Sequence, residues 1–80
     1  MLVPLHGFLA GDTLGLLVLM QDHETVAEIA TRLVRAAAPR VAPLAAPRVW
    51  SGGKVLDPAL TVAEAGLRPL DRIDVMEGAR

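Results

Sequence analysis

The sequence of 80 residues predicts an α+β fold in which a mixed sheet of about five strands packs on one long helix, with a second short helical turn. One segment, 26–37, has a long apolar stripe at helical spacing, and a single such stripe needs a sheet face to cover it. Shorter segments on both sides of it show strand patterns. The length allows one hydrophobic core, so we expect residues 1–80 to form a single domain.

The N-terminal part of the chain predicts two strands joined by a turn. The first strand begins near Leu5, because Pro4 has no N–H to donate to a strand ladder. The second, 14–21, is apolar on both of its alternating faces, with Leu17 and Leu19 on one of them. A strand with one face in water alternates apolar and polar residues, so we expect both faces of this strand to be covered.

A capping box predicts where the helix begins. The segment Thr-Val-Ala-Glu at 25–28 lets the Thr25 hydroxyl accept from the backbone of Glu28, whose carboxylate reaches back. Arg32 follows Glu28 at helical spacing, so we expect the two to form an ion pair. Pro39 ends the helix. The stripe that faces the sheet consists of Val26, Ile29, Ala30, Leu33, Val34 and Ala37.

The second half of the chain begins with an extended crossover at 38–47 that is rich in proline and alanine. Two short strands follow, 48–51 and 54–56. Gly52 and Gly53 join them, because two adjacent glycines supply the positive φ angles of a two-residue hairpin turn.

A second Thr-Val-Ala-Glu segment at 61–64 caps a short helical turn that Gly66 closes. The segment 72–77 then alternates as a last strand, with Ile73 and Val75 facing the core.

Charge and hydropathy exclude several classes of partner. Eight basic and nine acidic residues give a net charge of −1, which provides no field to attract nucleic acid. No apolar run approaches the roughly 20 residues that cross a bilayer, and the N-terminus lacks the features of a signal peptide. The sequence contains no cysteine. We expect a cytoplasmic protein that contacts neither membrane nor nucleic acid.

No group of residues predicts catalysis or metal binding. His6 and His23 lie in different elements without a second histidine at ligand spacing, so we interpret His6 as structural and His23 as solvated. Ser51 lies beside the Gly-Gly turn without a base placed to activate it. We therefore expect no catalytic residue, cofactor or small-molecule ligand in this chain.

The apolar content exceeds what a small core can cover. Hydrophobic residues make up 52% of the sequence, although Phe8 and Trp50 are its only aromatic residues. In so short a chain, part of this surface should become buried only against another protein. An alternative is that the abundant alanine raises the percentage while tolerating solvent.

Three residues are candidates for partner binding. Because Val49 should face the helix, strand alternation places Trp50 on the open side of the sheet. We assign Leu17 and Leu19 to the same side, although a slip of one residue in register would reverse their faces. Tryptophan is enriched where interfaces concentrate their binding energy. The alternative for Trp50 is packing at the rim of the core.

Two segments resemble the small B subunit of bacterial toluene monooxygenase hydroxylases. The first contains Pro-Leu-His at 4–6, Asp12 and Leu14, and the second reads Leu-Thr-Val-Ala-Glu-Ala-Gly-Leu-Arg-Pro at 60–69, followed by Ile-Asp-Val at 73–75. The helix start at Thr25 and the Arg-Val-Ala-Pro stretch at 40–43 fit the same resemblance. The order of elements also resembles the ubiquitin-like β-grasp fold, in which the first and last strands lie side by side at the sheet centre.

This resemblance implies the non-catalytic γ subunit of a multicomponent diiron monooxygenase that oxidises aromatic or alkene hydrocarbons. The diiron centre and the hydrocarbon site would belong to the large subunit, and the large and medium subunits would be the partners. An alternative is a free-standing ubiquitin-like protein of a bacterial secretion apparatus. A sulfur carrier is disfavoured, because it needs a terminal Gly-Gly and this sequence ends in Gly-Ala-Arg.

Overall fold

The structure is a computed structural model that describes residues 1–42 and 44–78. Pro43 in the predicted crossover and Ala79 and Arg80 at the end of the sequence lie outside the described residues. The elements are β1 (Leu2–Leu9), β2 (Gly15–Gln21), α1 (Val26–Ala37), β3 (Pro47–Ser51), β4 (Lys54–Val55) and β5 (Arg72–Glu77).

All the strands of the described residues form one mixed sheet in the order β2-β1-β5-β3-β4. β1 and β5 pair in parallel at the centre, and the other pairs are antiparallel. Helix α1 packs against β1, β2 and β3 on one face. The predicted α+β architecture, with the first and last strands side by side, is confirmed.

Four predicted strand boundaries are wrong. β3 begins at Pro47 instead of Arg48, and β4 ends at Val55 instead of Leu56. The other two lie in β1 and β2.

β1 begins at Leu2 instead of near Leu5, and Pro4 lies within it. The Pro4 carbonyl accepts a hydrogen bond from the Leu70 N–H at 2.6 Å, so the backbone polar side of Pro4 points away from β2. The missing N–H therefore leaves no gap in the pairing between β1 and β2. β2 begins at Gly15, which leaves Leu14 outside the strand.

The core lies between the sheet and the apolar stripe of α1. Gly7 lies where α1 packs closely on the sheet, because a Cβ atom there would lie 3.1 Å from Leu33 Cδ2 of α1 and 3.1 Å from Val18 Cγ2 of β2. Val34 of the predicted stripe is only partly buried. The buried core residues are Val3, Leu5, Leu9, Val18, Met20, Val26, Ile29, Ala30, Leu33, Ala37, Val49, Val62, Leu67, Ile73 and Val75.

The capping box at the start of α1 is confirmed. The Glu28 N–H donates to Thr25 Oγ1 at 3.4 Å, and the Thr25 N–H donates to Glu28 Oε1 at 3.0 Å. The predicted ion pair between Glu28 and Arg32 is wrong. Arg32 instead pairs with Glu24 and donates to the Leu19 carbonyl at 2.8 Å, so it ties α1 to the edge of β2.

The second Thr-Val-Ala-Glu segment forms the predicted short helical turn. The Glu64 N–H donates to Thr61 Oγ1 at 3.0 Å, and the Ala65 N–H donates to the Thr61 carbonyl at 2.9 Å. Gly66 follows with a φ of 75°. The hairpin between β3 and β4 also has its two glycines at positive φ, as predicted.

Stability should fall in acid, and the Glu24 carboxylate should contribute to this fall. The hydrogen bond from the Gln21 backbone N–H, at 2.7 Å, and the pairing with Arg32 lower the pKa of Glu24. The unfolded chain keeps the ordinary pKa of about 4, so it binds the proton first as the pH falls. The stabilisation is complete above that value and is lost as the pH drops through it towards the lowered value of the folded state.

Urea unfolding at a series of pH values tests this expectation. Glu24→Gln should be less stable near neutral pH and should lose stability less steeply in acid. Part of the acid dependence remains in the variant, since a hydrogen bond from Arg40 lowers the pKa of Asp12 as well. A wild-type curve that falls in parallel with the variant curve would contradict the assignment.

Candidate docking surface

The sheet has one face covered by α1 and one face that no helix or strand of the described residues covers. We call the second one the open face. The strand pairings define its members, and none of them is fully buried. They are Leu2, Pro4, His6, Phe8, Gly15, Leu17, Leu19, Gln21, Arg48, Trp50, Val55, Arg72, Asp74 and Met76.

The structure places all three predicted partner-binding residues on the open face. Leu17 and Leu19 project from β2 and are 61% and 51% exposed. Trp50 projects from β3, is half-buried, and lies opposite Asp74 of the neighbouring strand β5. Two strands separate Trp50 from the leucines, a distance of roughly 14 Å at normal strand spacing. The three residues therefore belong to two parts of one face, and their contact with a partner stays a prediction.

Exposed apolar side chains concentrate on this face. One group lies at the β1 and β2 side and the other at the β3, β4 and β5 side. The first consists of Leu2, Leu17 and Leu19, and the second of Val55 and Met76. In the described part of the chain, the other large apolar side chains that are well exposed are Met1, Leu14 and Leu70. The core thus leaves apolar surface uncovered, as the composition predicts.

A charged and aromatic cluster lies between the two apolar groups. The Arg72 guanidinium stacks 4.2 Å from the centre of the Phe8 ring, and its Nη2 lies 3.1 Å from Asp74 Oδ1. The His6 and Phe8 rings lie 4.6 Å apart. A Cβ atom at Gly15 would come within 2.8 Å of Phe8 and 2.9 Å of His6, so the absence of a side chain there lets both rings lie against β2.

This central cluster is not evident from the sequence alone. Its members come from β1 and β5, at opposite ends of the chain, and the parallel register places His6 beside Arg72 and Phe8 beside Asp74. Period-two alternation in both strands is the available signal. It becomes useful only once the central pairing and its register are known.

Within residues 1–42 and 44–78, no three His, Cys, Asp or Glu side chains are grouped to hold a metal ion. A groove of about 210 Å³ between α1 and β3 is lined mainly by apolar residues and by neither a histidine nor a carboxylate. No helix in the described ranges has the length and apolar character needed to cross a membrane.

Comparison with known proteins gives a match to a protein family. The model of Toluene-4-monooxygenase system protein B (TmoB) matches residues 2–76. The chain belongs to this family. A chain in the structure of the toluene 4-monooxygenase HD complex with the inhibitor 4-bromobenzoate is 27% identical, with a TM-score of 0.90. The match covers 98% of this TmoB-family chain and 100% of the other. No curated protein sequence matches.

Other solved structures similar to this TmoB-family chain have the ubiquitin-like fold. The ubiquitin of Caldiarchaeum subterraneum is 17% identical, with a TM-score of 0.77 and coverage of 100% of this chain and 98% of that one. The EccD5 ubiquitin-like domain from Mycobacterium xenopi is 20% identical, with a TM-score of 0.76 and coverage of 99% of each chain. At these identities the similarity concerns the fold alone, and the predicted β-grasp fold is confirmed.

Proposed function

We propose that this chain is the non-catalytic γ subunit of a multicomponent diiron monooxygenase hydroxylase that oxidises aromatic or alkene hydrocarbons. The main support is membership of the TmoB family together with full-length coverage of a chain from the toluene 4-monooxygenase complex. In this proposal residues 1–80 act as one cytoplasmic domain. The large and medium subunits are its partners, and the large subunit holds the diiron centre and the hydrocarbon site.

The open face supplies a physical basis for assembly. Leu17 and Leu19 are exposed in the isolated chain, and Trp50 lies on the same face. Burial of the exposed part of each leucine against a partner would contribute about 1–2 kcal/mol. We therefore assign docking on the large subunit to this face. No specific observation favours the secretion-apparatus alternative.

Affinity purification of this chain from cells that naturally express it tests the proposed function. A tagged form of this chain should recover a large subunit containing a diiron centre, in fixed stoichiometry. The isolated chain should show no turnover of aromatic or alkene hydrocarbons and should bind no stoichiometric iron. Turnover by the isolated chain, iron bound to it, or recovery of a secretion ATPase complex in place of the hydroxylase would contradict the proposal.

Trp50→Ala should weaken retention of the chain in the hydroxylase complex. The substitution removes the largest side chain of the open face, whereas Trp50→Phe keeps an aromatic ring there and serves as the matched control. Truncating an aromatic anchor at an interface costs about 2 kcal/mol or more, so loss on dilution should be readily measured by size-exclusion chromatography. Equal retention of the wild type and a folded Trp50→Ala variant at low concentration would refute the assignment of Trp50.

A further inference from the structure

Arg72 occupies the centre of the open face in a fixed orientation. It lies on β5, one of the two central strands, between the leucines of β2 and the indole of Trp50 on β3. The Phe8 ring lies under its guanidinium at 4.2 Å, and the Asp74 carboxylate lies beside it. Arginine and aromatic residues near the middle of a surface are the side chains that most often dominate binding energy.

The hydrogen bonds of Arg72 leave one edge of its guanidinium free. Nε donates to Asp74 Oδ2 at 3.3 Å and Nη2 donates to Asp74 Oδ1 at 3.1 Å. Nη1 has no partner among residues 1–42 and 44–78, and the side chain is 65% exposed. A guanidinium that is already held by stacking and by an ion pair loses little freedom when it binds a further acceptor.

The charges around this free edge favour an acidic protein surface as the partner. Among the Lys, Arg, Asp and Glu side chains of the open face, Arg48 and Arg72 outweigh Asp74, although the whole chain has a net charge of −1. A planar guanidinium edge matches the geometry of a carboxylate. Exposed leucines on the same face fit apolar protein surface and do not fit a nucleic-acid backbone.

We propose that Arg72 anchors the open face by binding a carboxylate of the hydroxylase subunit on which this chain docks. The inference rests on the proposed function and specifies the chemistry of the partner surface. That surface carries an Asp or Glu side chain opposite Arg72, with apolar patches on both sides opposite Leu17 and Trp50.

Binding of Arg72→Gln to the hydroxylase at low and high ionic strength tests this inference. Loss of one charge-assisted contact should weaken association at low salt by about tenfold. The variant should also lose less affinity than the wild type as salt is added, because the screened ion pair is missing. Arg72→Lys keeps the positive charge but lacks the planar guanidinium, so its affinity for the hydroxylase should lie between those of the wild type and Arg72→Gln. Arg35→Gln, which removes an exposed arginine from α1, should behave as the wild type.

The outcomes separate this inference from the proposed function. If Arg72→Gln binds as tightly as the wild type while aspartate at Leu17 and Leu19 abolishes binding, the carboxylate contact is wrong and the docking face stands. If Arg72→Gln weakens binding equally at every ionic strength, Arg72 acts only by packing on Phe8, and the carboxylate contact is again wrong. If no open-face variant affects association, docking by this face is itself refuted.

Discussion

Replacing both Leu17 and Leu19 by aspartate is expected to abolish recovery of this chain with the hydroxylase while leaving the chain folded. Both side chains are more than half exposed, so the isolated domain gains little from them. Burying the exposed part of both against a partner contributes about 2–3 kcal/mol, which corresponds to an affinity change of roughly 10–10²-fold. Two carboxylates forced into an apolar contact would weaken association further, because each needs a partner when it leaves water.

The control is Leu14→Asp, which makes the same change at a leucine that is 50% exposed but lies outside β2 and off the open face. It should leave co-purification unchanged. Aspartate disfavours strands, so thermal unfolding of each variant must show that the domain is still folded. If the double aspartate variant is unfolded, threonine at Leu17 and Leu19 is the alternative, because threonine keeps strand propensity and removes much of the apolar surface. Full recovery with a folded double variant would exclude docking through the leucines.

Elements specified by local residue patterns could be predicted from the sequence. The capping box at Thr25 and the Gly52-Gly53 hairpin depend on residues a few positions apart, and the structure contains both. The start of β1 depends on a distant residue. Pro4 is acceptable inside a central strand because Leu70, far along the chain, occupies the side of its backbone that faces away from β2.

Side-chain partners were harder to predict than elements, because several partners compete for one group. Helical spacing pairs Arg32 with Glu28, but Glu28 is held in the capping box. Glu24 lies in the loop before the helix, within reach of Arg32, and pairs with Arg32 in place of Glu28. Helical spacing relates residues within one helix only, so it cannot identify a carboxylate that a preceding loop brings near Arg32.

The candidate docking surface also has one part that local patterns predict and one part that depends on residues distant in sequence. Alternation along each strand places Leu17, Leu19 and Trp50 on the open face. The cluster of Phe8, Arg72 and Asp74 needs the parallel register of two strands from opposite ends of the chain. The ubiquitin-like neighbours at 17% and 20% identity share the fold alone, so function must be sought in surface residues of this kind.

Leu33→Ala is expected to unfold a large fraction of the isolated domain. Leu33 lies on the side of α1 that faces the sheet and is fully buried there. Truncation of a buried leucine costs about 2–5 kcal/mol, whereas a core of this size supplies only about 3–5 kcal/mol in total. Urea unfolding followed by circular dichroism measures the loss, with Leu17→Ala as the matched control at an exposed leucine. A Leu33→Ala variant as stable as the control would show that Leu33 does not hold the two layers together.

Gly7 allows a sharper test of the same contact. Gly7→Ala should destabilise the wild type by about 1–3 kcal/mol, because the new methyl group overpacks against the Leu33 δ carbons. Leu33→Val removes both δ carbons, so Gly7→Ala should cost less in that background, and the part of the cost that remains comes from Val18 Cγ2, which would lie 3.1 Å from the new methyl group. Val62→Ala truncates a core residue outside this contact, and there the cost of Gly7→Ala should persist. Equal costs in all three backgrounds would mean that the glycine serves the strand itself or its contact with Val18, and not the approach of α1 to β1.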